Sequence, residues 1–251
     1  MKIVVKVGTL SVADNTGSDR QKIRTLIGDI ARLMKKGHKV ILISSGAVGA
    51  GLPIVHMRGP FQKKTAAAVG QPLLINDYVE EAKRHKMVVG QMLALSDDLS
   101  NKRKFKNFML HIEGMLSHKV LPIINENNIM ETKDLEALGN DMLGAKVAVG
   151  LKAHKYIILT NKKGLYTSNP DRDPNAKLIK EVKKIDRELK KRCAGTSGMG
   201  IGGMLSKIKS VEYALAGGVE TLIGLGGVHG TLTSALKRNF TGTKFLAKKI
   251  K

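Results

Sequence analysis

Short runs of β-branched and other apolar residues alternate along this chain with longer segments whose apolar positions recur every three to four residues. Ile3-Val4-Val5 is the first run. From Arg20 to Lys36, residues Ile23, Leu26, Ile27, Ile30, Leu33 and Met34 form one helical stripe, and Gly37 is placed to stop it. Val40 to Ile43 is apolar without a break, which predicts a strand buried on both faces. The same reading predicts a helix over 65–85, a strand over 87–95, a helix over 97–117 and a strand over 120–124. Beyond these, 156–160 reads as a strand, 162–167 as a small hairpin, 202–217 as a helix, 219–223 as a strand and 242–245 as a final edge strand. Such alternation predicts an α/β fold of βαβ units around a mostly parallel sheet. No repeat, linker or low-complexity stretch divides the chain, so one domain over residues 1–251 is the simplest expectation, with a two-lobed division near residue 150 as the alternative.

Composition narrows the class. With 251 residues, 42% of them hydrophobic, the chain can bury a sizeable core. It has no apolar run of the ~18 residues that a membrane span needs, and its first residues are too short an apolar run for a signal peptide. One cysteine, Cys193, excludes an internal disulfide and fits a reducing cytoplasm, the expected location. Its basic neighbours make it a candidate for a lowered thiol pKa, although no histidine motif pairs with it. The seven histidines show no metal-ligand spacing, and no metal site is predicted.

Charge is the outlying quantity: 43 Lys and Arg against 21 Asp and Glu give a net +22. This raises an anionic partner. The lysines are spread in short pairs such as Lys35-Lys36, Lys63-Lys64 and Lys162-Lys163, aromatics are 4% and tryptophan is absent. Base-stacking platforms are therefore poorly supplied. A solvated basic surface that attracts anionic substrates is the expectation, and a nucleic-acid partner is not.

Polar residues gather where predicted strands end, the place where α/β sheets hold ligands. Strand 120–124 runs into Asn125-Glu126-Asn127-Asn128, and a helix opens fifteen residues after Asn125 at Gly139-Asn140-Asp141. Amides carry donors and an acceptor together, so they can grip a carboxylate and an ammonium, while an acid nearby would neutralise the ammonium. Lys6 ends the first strand before Gly8-Thr9, where glycine lets backbone N–H groups approach an anion, although strand-end lysines are commonly just solvated. Ser44-Ser45-Gly46 precede a run of small residues, so hydroxyl and N–H groups could face a carboxylate or simply cap a helix. Thr65 to Gln71 reads as a tightly packed helix without chemistry. Clustered glycines from Gly198 to Gly203 precede a helix bearing Lys207. The spacing is not that of a P-loop. A glycine-rich helix start can still cradle phosphates, and a flexible loop fits equally.

Taken in order, Lys6-Val7-Gly8, Ser44-Ser45-Gly46-Ala47-Val48, Pro122 to Asn127, Asn140-Asp141, Gly164-Leu165-Tyr166-Thr167 and Gly202-Gly203-Met204…Lys207 resemble the glutamate 5-kinases of the amino acid kinase family. The resemblance implies a three-layer α/β/α sandwich, with residues 1–150 binding the amino acid and 151–251 the nucleotide. It also implies a homo-oligomer, and a chain without the C-terminal PUA domain of many bacterial relatives. The implied reaction is ATP-dependent phosphorylation of the γ-carboxylate of L-glutamate, the first step of proline synthesis, with Mg²⁺ carried on the ATP phosphates. By the same resemblance Lys6 and Lys207 face the transferred phosphoryl group and Asp141 orients them. Ser45, Gly46, Asn125, Asn128 and Asn140 would bind glutamate. Thr160, Asn161, Ile201, Gly202, Gly203, Met204, Leu205, Ser206 and Lys207, with Lys6, would bind ATP. Asn128, Gly139 and Asn161 stand where the family carries Asp. An Asp-to-Asn change keeps an acceptor and loses a charge, which predicts weaker or altered substrate binding. A sister kinase with another carboxylate or phosphate acceptor, and a catalytically weakened amino-acid-binding protein, are the alternatives.

Overall fold

The computed structural model describes residues 1–14, 16–56, 59, 61–130, 139–194, 203–237 and 239–246. Strand β1 (Lys2–Val7) is followed by a 3-10 turn over Thr9–Ser11 and by a small hairpin, β2 (Ala13–Asp14) with β3 (Gly17–Ser18). Helix α1 (Arg20–Lys35) starts where the Asp19 side chain accepts from the Lys22 N–H, and it ends before Gly37 at φ 80°. The chain continues through β4 (Lys39–Ile43), α2 (Ala47–Gly51), α3 (Gln62–Lys83), β5 (Val88–Ala94), α4 (Ser96–Ser100), α5 (Lys102–Ser117) and β6 (Val120–Glu126). Then come α6 (Gly139–Gly150), β7 (Lys155–Thr160), β8 (Glu181–Val182), α7 (Arg187–Ala194), α8 (Met204–Ala216), β9 (Glu220–Leu225), α9 (Thr231–Ser234) and β10 (Gly242–Phe245).

Eight strands form one sheet in the order β5-β6-β4-β1-β7-β9-β10-β8. Every neighbouring pair is parallel except β9 with β10. Because successive side chains leave a strand on opposite faces, the unbroken apolar runs feed two cores. Val4, Ile41, Ile43, Ile124 and Ile158 pack with α5, α6 and α8, whereas Ile3, Val5, Leu42, Ile123 and Ile157 pack with α1 and α3. The result is the three-layer α/β/α sandwich.

The structure corrects the sequence reading in several places. The helix predicted over 97–117 is two helices. Asn101 leaves helical geometry at ψ 119°, and its side chain accepts from the N–H groups of Arg103 and Lys104 to cap α5. A local side-chain cap outcompetes a continuous apolar stripe. The hairpin predicted over 162–167 reduces to one antiparallel bridge, between Tyr166 and Leu178. Strand 242–245 is not at the edge, because β8 pairs along its outer side. Helix α7 and strand β8 were not predicted.

The tight packing expected of 65–71 comes from two glycines. A Cβ on Gly70 would lie 1.9 Å from the Ala47 carbonyl oxygen, and one on Gly51 would lie 2.0 Å from that of Ala66. Helices α2 and α3 therefore touch backbone to backbone. Gly70→Ala is expected to lower stability by about 1–3 kcal/mol, since overpacking forces the helices apart. The check is a reduced urea midpoint at unchanged slope; an unchanged midpoint would mean that the contact separates without cost.

Candidate active site

The central strand β1 lies between β4 and β7, and the loops leaving the carboxyl ends of these strands open a crevice. A cavity of about 520 Å³ fills it. Lys6 and Ser45 line one side, Thr160, Asn161 and Leu165 another, and Gly203 and Met204 bring the start of α8 to it. Lys207, one turn into that helix, also lines the cavity.

Three buried charges meet at its wall. Lys6 is 5% exposed, Asp141 4% and Lys207 8%. Lys6 Nζ stands 2.7 Å from Asp141 Oδ1, and Lys207 Nζ stands 3.4 Å from Oδ2. The Ser206 hydroxyl donates to the same Oδ2 at 3.3 Å. Asp141 occupies the first turn of α6, and the Tyr156 hydroxyl donates to its carbonyl oxygen at 2.7 Å. Gly144 leaves room for that ring, because a Cβ there would lie 2.6 Å from Tyr156 Oη. Burial is the largest single influence on Asp141 and favours its neutral form, yet Lys6 and Lys207 together outweigh it and hold the carboxyl below its usual value. Burial also lowers the Lys6 pKa, opposed by Asp141 and reinforced by Lys207. Two ammonium groups on one carboxylate leave an excess positive charge facing an enclosed space, an arrangement suited to an anion.

The amides form a chain of their own. Asn125, 1% exposed, donates from Nδ2 to Gln71 Oε1 at 2.7 Å and accepts from Asn140 Nδ2 at 3.0 Å. Asn140 Oδ1 in turn accepts from the Glu126 N–H at 3.1 Å. Asn128 donates to the Glu126 carbonyl oxygen at 3.2 Å, and Glu126 Oε1 accepts from the Gly139 N–H at 3.2 Å, which ties β6 to the start of α6. Asn125, Asn128 and Asn140 lie off the lining of the cavity. Gly46 caps α2 in the left-handed region at φ 109°, buried behind Ser45.

On the other side the Thr160 hydroxyl donates to Asn161 Oδ1 at 3.2 Å, and the Thr160 carbonyl oxygen accepts from the Gly226 N–H at 2.7 Å. Of the segment 201–207, Gly203, Met204 and Lys207 line the cavity, Leu205 packs against the core and Ser206 turns to Asp141. Ile201 and Gly202 lie outside the described residues.

Sequence reasoning missed several lining groups. The turn Thr9–Ser11 and the α7 residues Leu189, Arg192 and Cys193 border the cavity. The signal for α7 was present, since Asp186 accepts from the Leu189 N–H at 2.9 Å as a helix cap. Gln71, read as packing, proves to be the α3 anchor of the amide chain. Cys193 departs from the lowered pKa anticipated for it: burial pushes its thiol up, against a smaller opposing effect of Arg192. Among the described residues no three His, Cys, Asp or Glu side chains are grouped to hold a metal ion.

Residues 1–224 match the amino acid kinase family. Glutamate 5-kinase of Trichlorobacter lovleyi is 37% identical over 251 residues, covering 98% of this chain and 67% of the relative. Glutamate 5-kinase 1 of Bacillus licheniformis is 39% identical over 249 residues, covering 96% and 68%. Glutamate 5-kinase of Vibrio parahaemolyticus is 37% identical, covering 97% and 66%. The chain thus spans about two thirds of the length of the curated relatives it matches. Among solved structures, the isopentenyl phosphate kinase of T. acidophilum has a TM-score of 0.68 at 13% identity, covering 98% of this chain and 100% of that one. Aspartate kinase from Synechocystis has a TM-score of 0.65 at 17% identity, covering 100% of this chain and 40% of that one. At such identity these two report a common fold alone. The fold, the ordered motifs and a match from residue 1 to 224 agree, and the chain belongs to the amino acid kinase family.

Proposed function

We propose that this chain transfers the γ-phosphoryl group of ATP to the γ-carboxylate of L-glutamate, yielding glutamyl 5-phosphate and ADP. The observation that carries the reading is the buried Lys6–Asp141–Lys207 arrangement, set where the Ser45 side of the cavity meets the Thr160–Asn161 side. The names of the relatives point to the same reaction. An oxygen of the glutamate γ-carboxylate attacks the γ-phosphorus, and the new P–O bond forms as the bond to the bridging oxygen of ADP breaks. The attacking group needs no base, since a free glutamate carboxyl has a pKa of about 4.3. Lys6 and Lys207 neutralise charge on the phosphoryl oxygens as they pass between donor and acceptor, and Asp141 fixes both ammonium groups in place beforehand. The open N–H groups at the start of α8 face the nucleotide phosphates. Mg²⁺ carried on the ATP phosphates would screen their charge.

In this reading glutamate reaches from the cavity past Ser45 toward Gly46, Asn125, Asn128 and Asn140, which lie off its lining and complete the glutamate site. Residues 1–150 serve the amino acid and 151–251 the nucleotide within one domain, an assignment supported by the sheet that runs unbroken through both. A cytoplasmic homo-oligomer belongs to the same proposal; exposed Phe61 just before α3, Leu73 on it and Val88 on the edge strand give a second copy something to cover. Asn128 supplies a sharper test. Asn128→Asp is expected to lower KM for glutamate about 3–10-fold, because a charge-assisted bond replaces a neutral one. An unchanged KM would remove Asn128 from the glutamate pocket.

The reaction itself is tested by trapping with hydroxylamine, which converts an acyl phosphate into a hydroxamate. Formation of γ-glutamyl hydroxamate from L-glutamate and ATP, and none from aspartate or N-acetylglutamate, is the expected result. Turnover with another acceptor instead would mark a sister kinase. Binding of ATP and glutamate without turnover would mark an amino-acid-binding protein, a reading that the uncharged Asn128 and Asn161 favour.

A further inference from the structure

Lysines scattered in sequence meet along one edge of the sheet. At its amino-terminal edge, opposite the crevice, each strand of the run β5-β6-β4-β1-β7 begins at a lysine or within two residues of one. Register fixes the row. Lys2 pairs with Lys39 across β1 and β4, and Ile3 pairs with Lys155 across β1 and β7. Leu42 pairs with Ile123, which three residues earlier sets Lys39 beside Val120 and its neighbour Lys119. Val88 pairs with Val120, so Lys86 enters β5 next in line.

Lys86, Lys119 and Lys152 sit in the turns that lead from helix to strand, at φ 56°, 58° and 49°. Glycine would be the less strained residue there, as Gly37 is in the corresponding turn before β4. Lys39, Lys86, Lys119 and Lys152 are all exposed, and among the described residues no acid pairs with any of them. The acids that do pair in this row are Glu113, on Lys2, and Glu220, on Lys155. Neighbouring strands stand about 4.8 Å apart, so five of them spread the charges over roughly 20 Å.

A straight row of that length matches a polyanion better than a small anion. Its segments 35–39, 84–88, 117–120 and 151–155 contain no Phe, Tyr or Trp; their aromatic rings are the imidazoles of His38, His85, His118 and His154. Single strands are held largely by base stacking, for which these segments offer small imidazoles alone, and bilayer surfaces by several apolar side chains that enter them, where these segments expose Val88. We propose that this edge of the sheet binds the phosphate backbone of a duplex nucleic acid without reading its sequence, while the crevice at the opposite edge stays open to small molecules.

The test is fluorescence anisotropy of a labelled mixed-sequence duplex, DNA in one arm and RNA in the other, titrated with the full chain between about 50 and 200 mM KCl. Binding to either duplex is expected, with log K falling against log salt at a slope of about −4, as for four to five phosphate contacts. The triple variant Lys39→Glu/Lys119→Glu/Lys152→Glu is expected to bind at least about tenfold more weakly and to lose about 3 from the slope. Lys102→Glu/Arg103→Glu/Lys106→Glu changes the net charge equally at the start of α5, at the other end of the molecule, and is expected to keep the slope within about 1. Thermal melting confirms that both variants fold. Equal weakening by the two variants would overturn the proposal in favour of bulk charge. It would also fall if neither duplex bound at the low-salt end, or if phosphatidylserine vesicles bound and duplexes did not.

Discussion

Replacing Lys207 with alanine lowers kcat by about 10²–10³-fold while KM for glutamate moves by no more than a few-fold, and Lys6→Ala behaves alike. The asymmetry follows from where these ammonium groups sit. Both are buried and held against Asp141 rather than against the amide chain. Charge shifts on the phosphoryl oxygens only as the group moves, so the lysines act more on the transition state than on bound glutamate. Steady-state kinetics on each variant read the split directly. A raised KM with an unchanged kcat would assign them to ground-state binding instead.

Asp141→Asn produces the largest loss of stability, about 3–5 kcal/mol, because it leaves two buried ammonium groups without a counter-charge. For a chain of this size that is a fall of roughly 10 °C in melting temperature. The pH dependence has a definite sign. The Asp141 pKa is depressed on folding, so its contribution is complete above the ordinary carboxylate value and is lost as pH falls toward the folded value. The parent chain is therefore expected to lose stability in acid more steeply than Asp141→Asn. Replacing all three groups, as Lys6→Met/Asp141→Leu/Lys207→Met, is expected to recover much of the stability and none of the activity. An Asp141→Asn chain as stable as its parent would show that the carboxylate does not balance the lysines.

Much of this architecture was legible as sequence because its elements are buried on a regular period. The strands at Val40 and Val120 and the stripe on α1 announce themselves through apolarity alone, and polar residues at strand ends mark the crevice. What escaped depends on local or long-range chemistry. Asn101 carries a cap that divides an otherwise continuous amphipathic pattern. The two-residue strand β8 has too few positions to show a period, and it takes the edge from β10. Gln71 lies 54 residues from Asn125 in sequence, so nothing local announces that their side chains meet at 2.7 Å. The lysine row is the same problem on a larger scale. Single lysines far apart along the chain come to one edge once the sheet forms.

The most direct test of the kinase reading is ADP release by the purified chain with MgATP, with and without L-glutamate, using Lys207→Ala as the blank. Turnover that depends on glutamate and disappears in the blank is the expected result. ADP release that ignores glutamate, or that survives without Lys207, would contradict it.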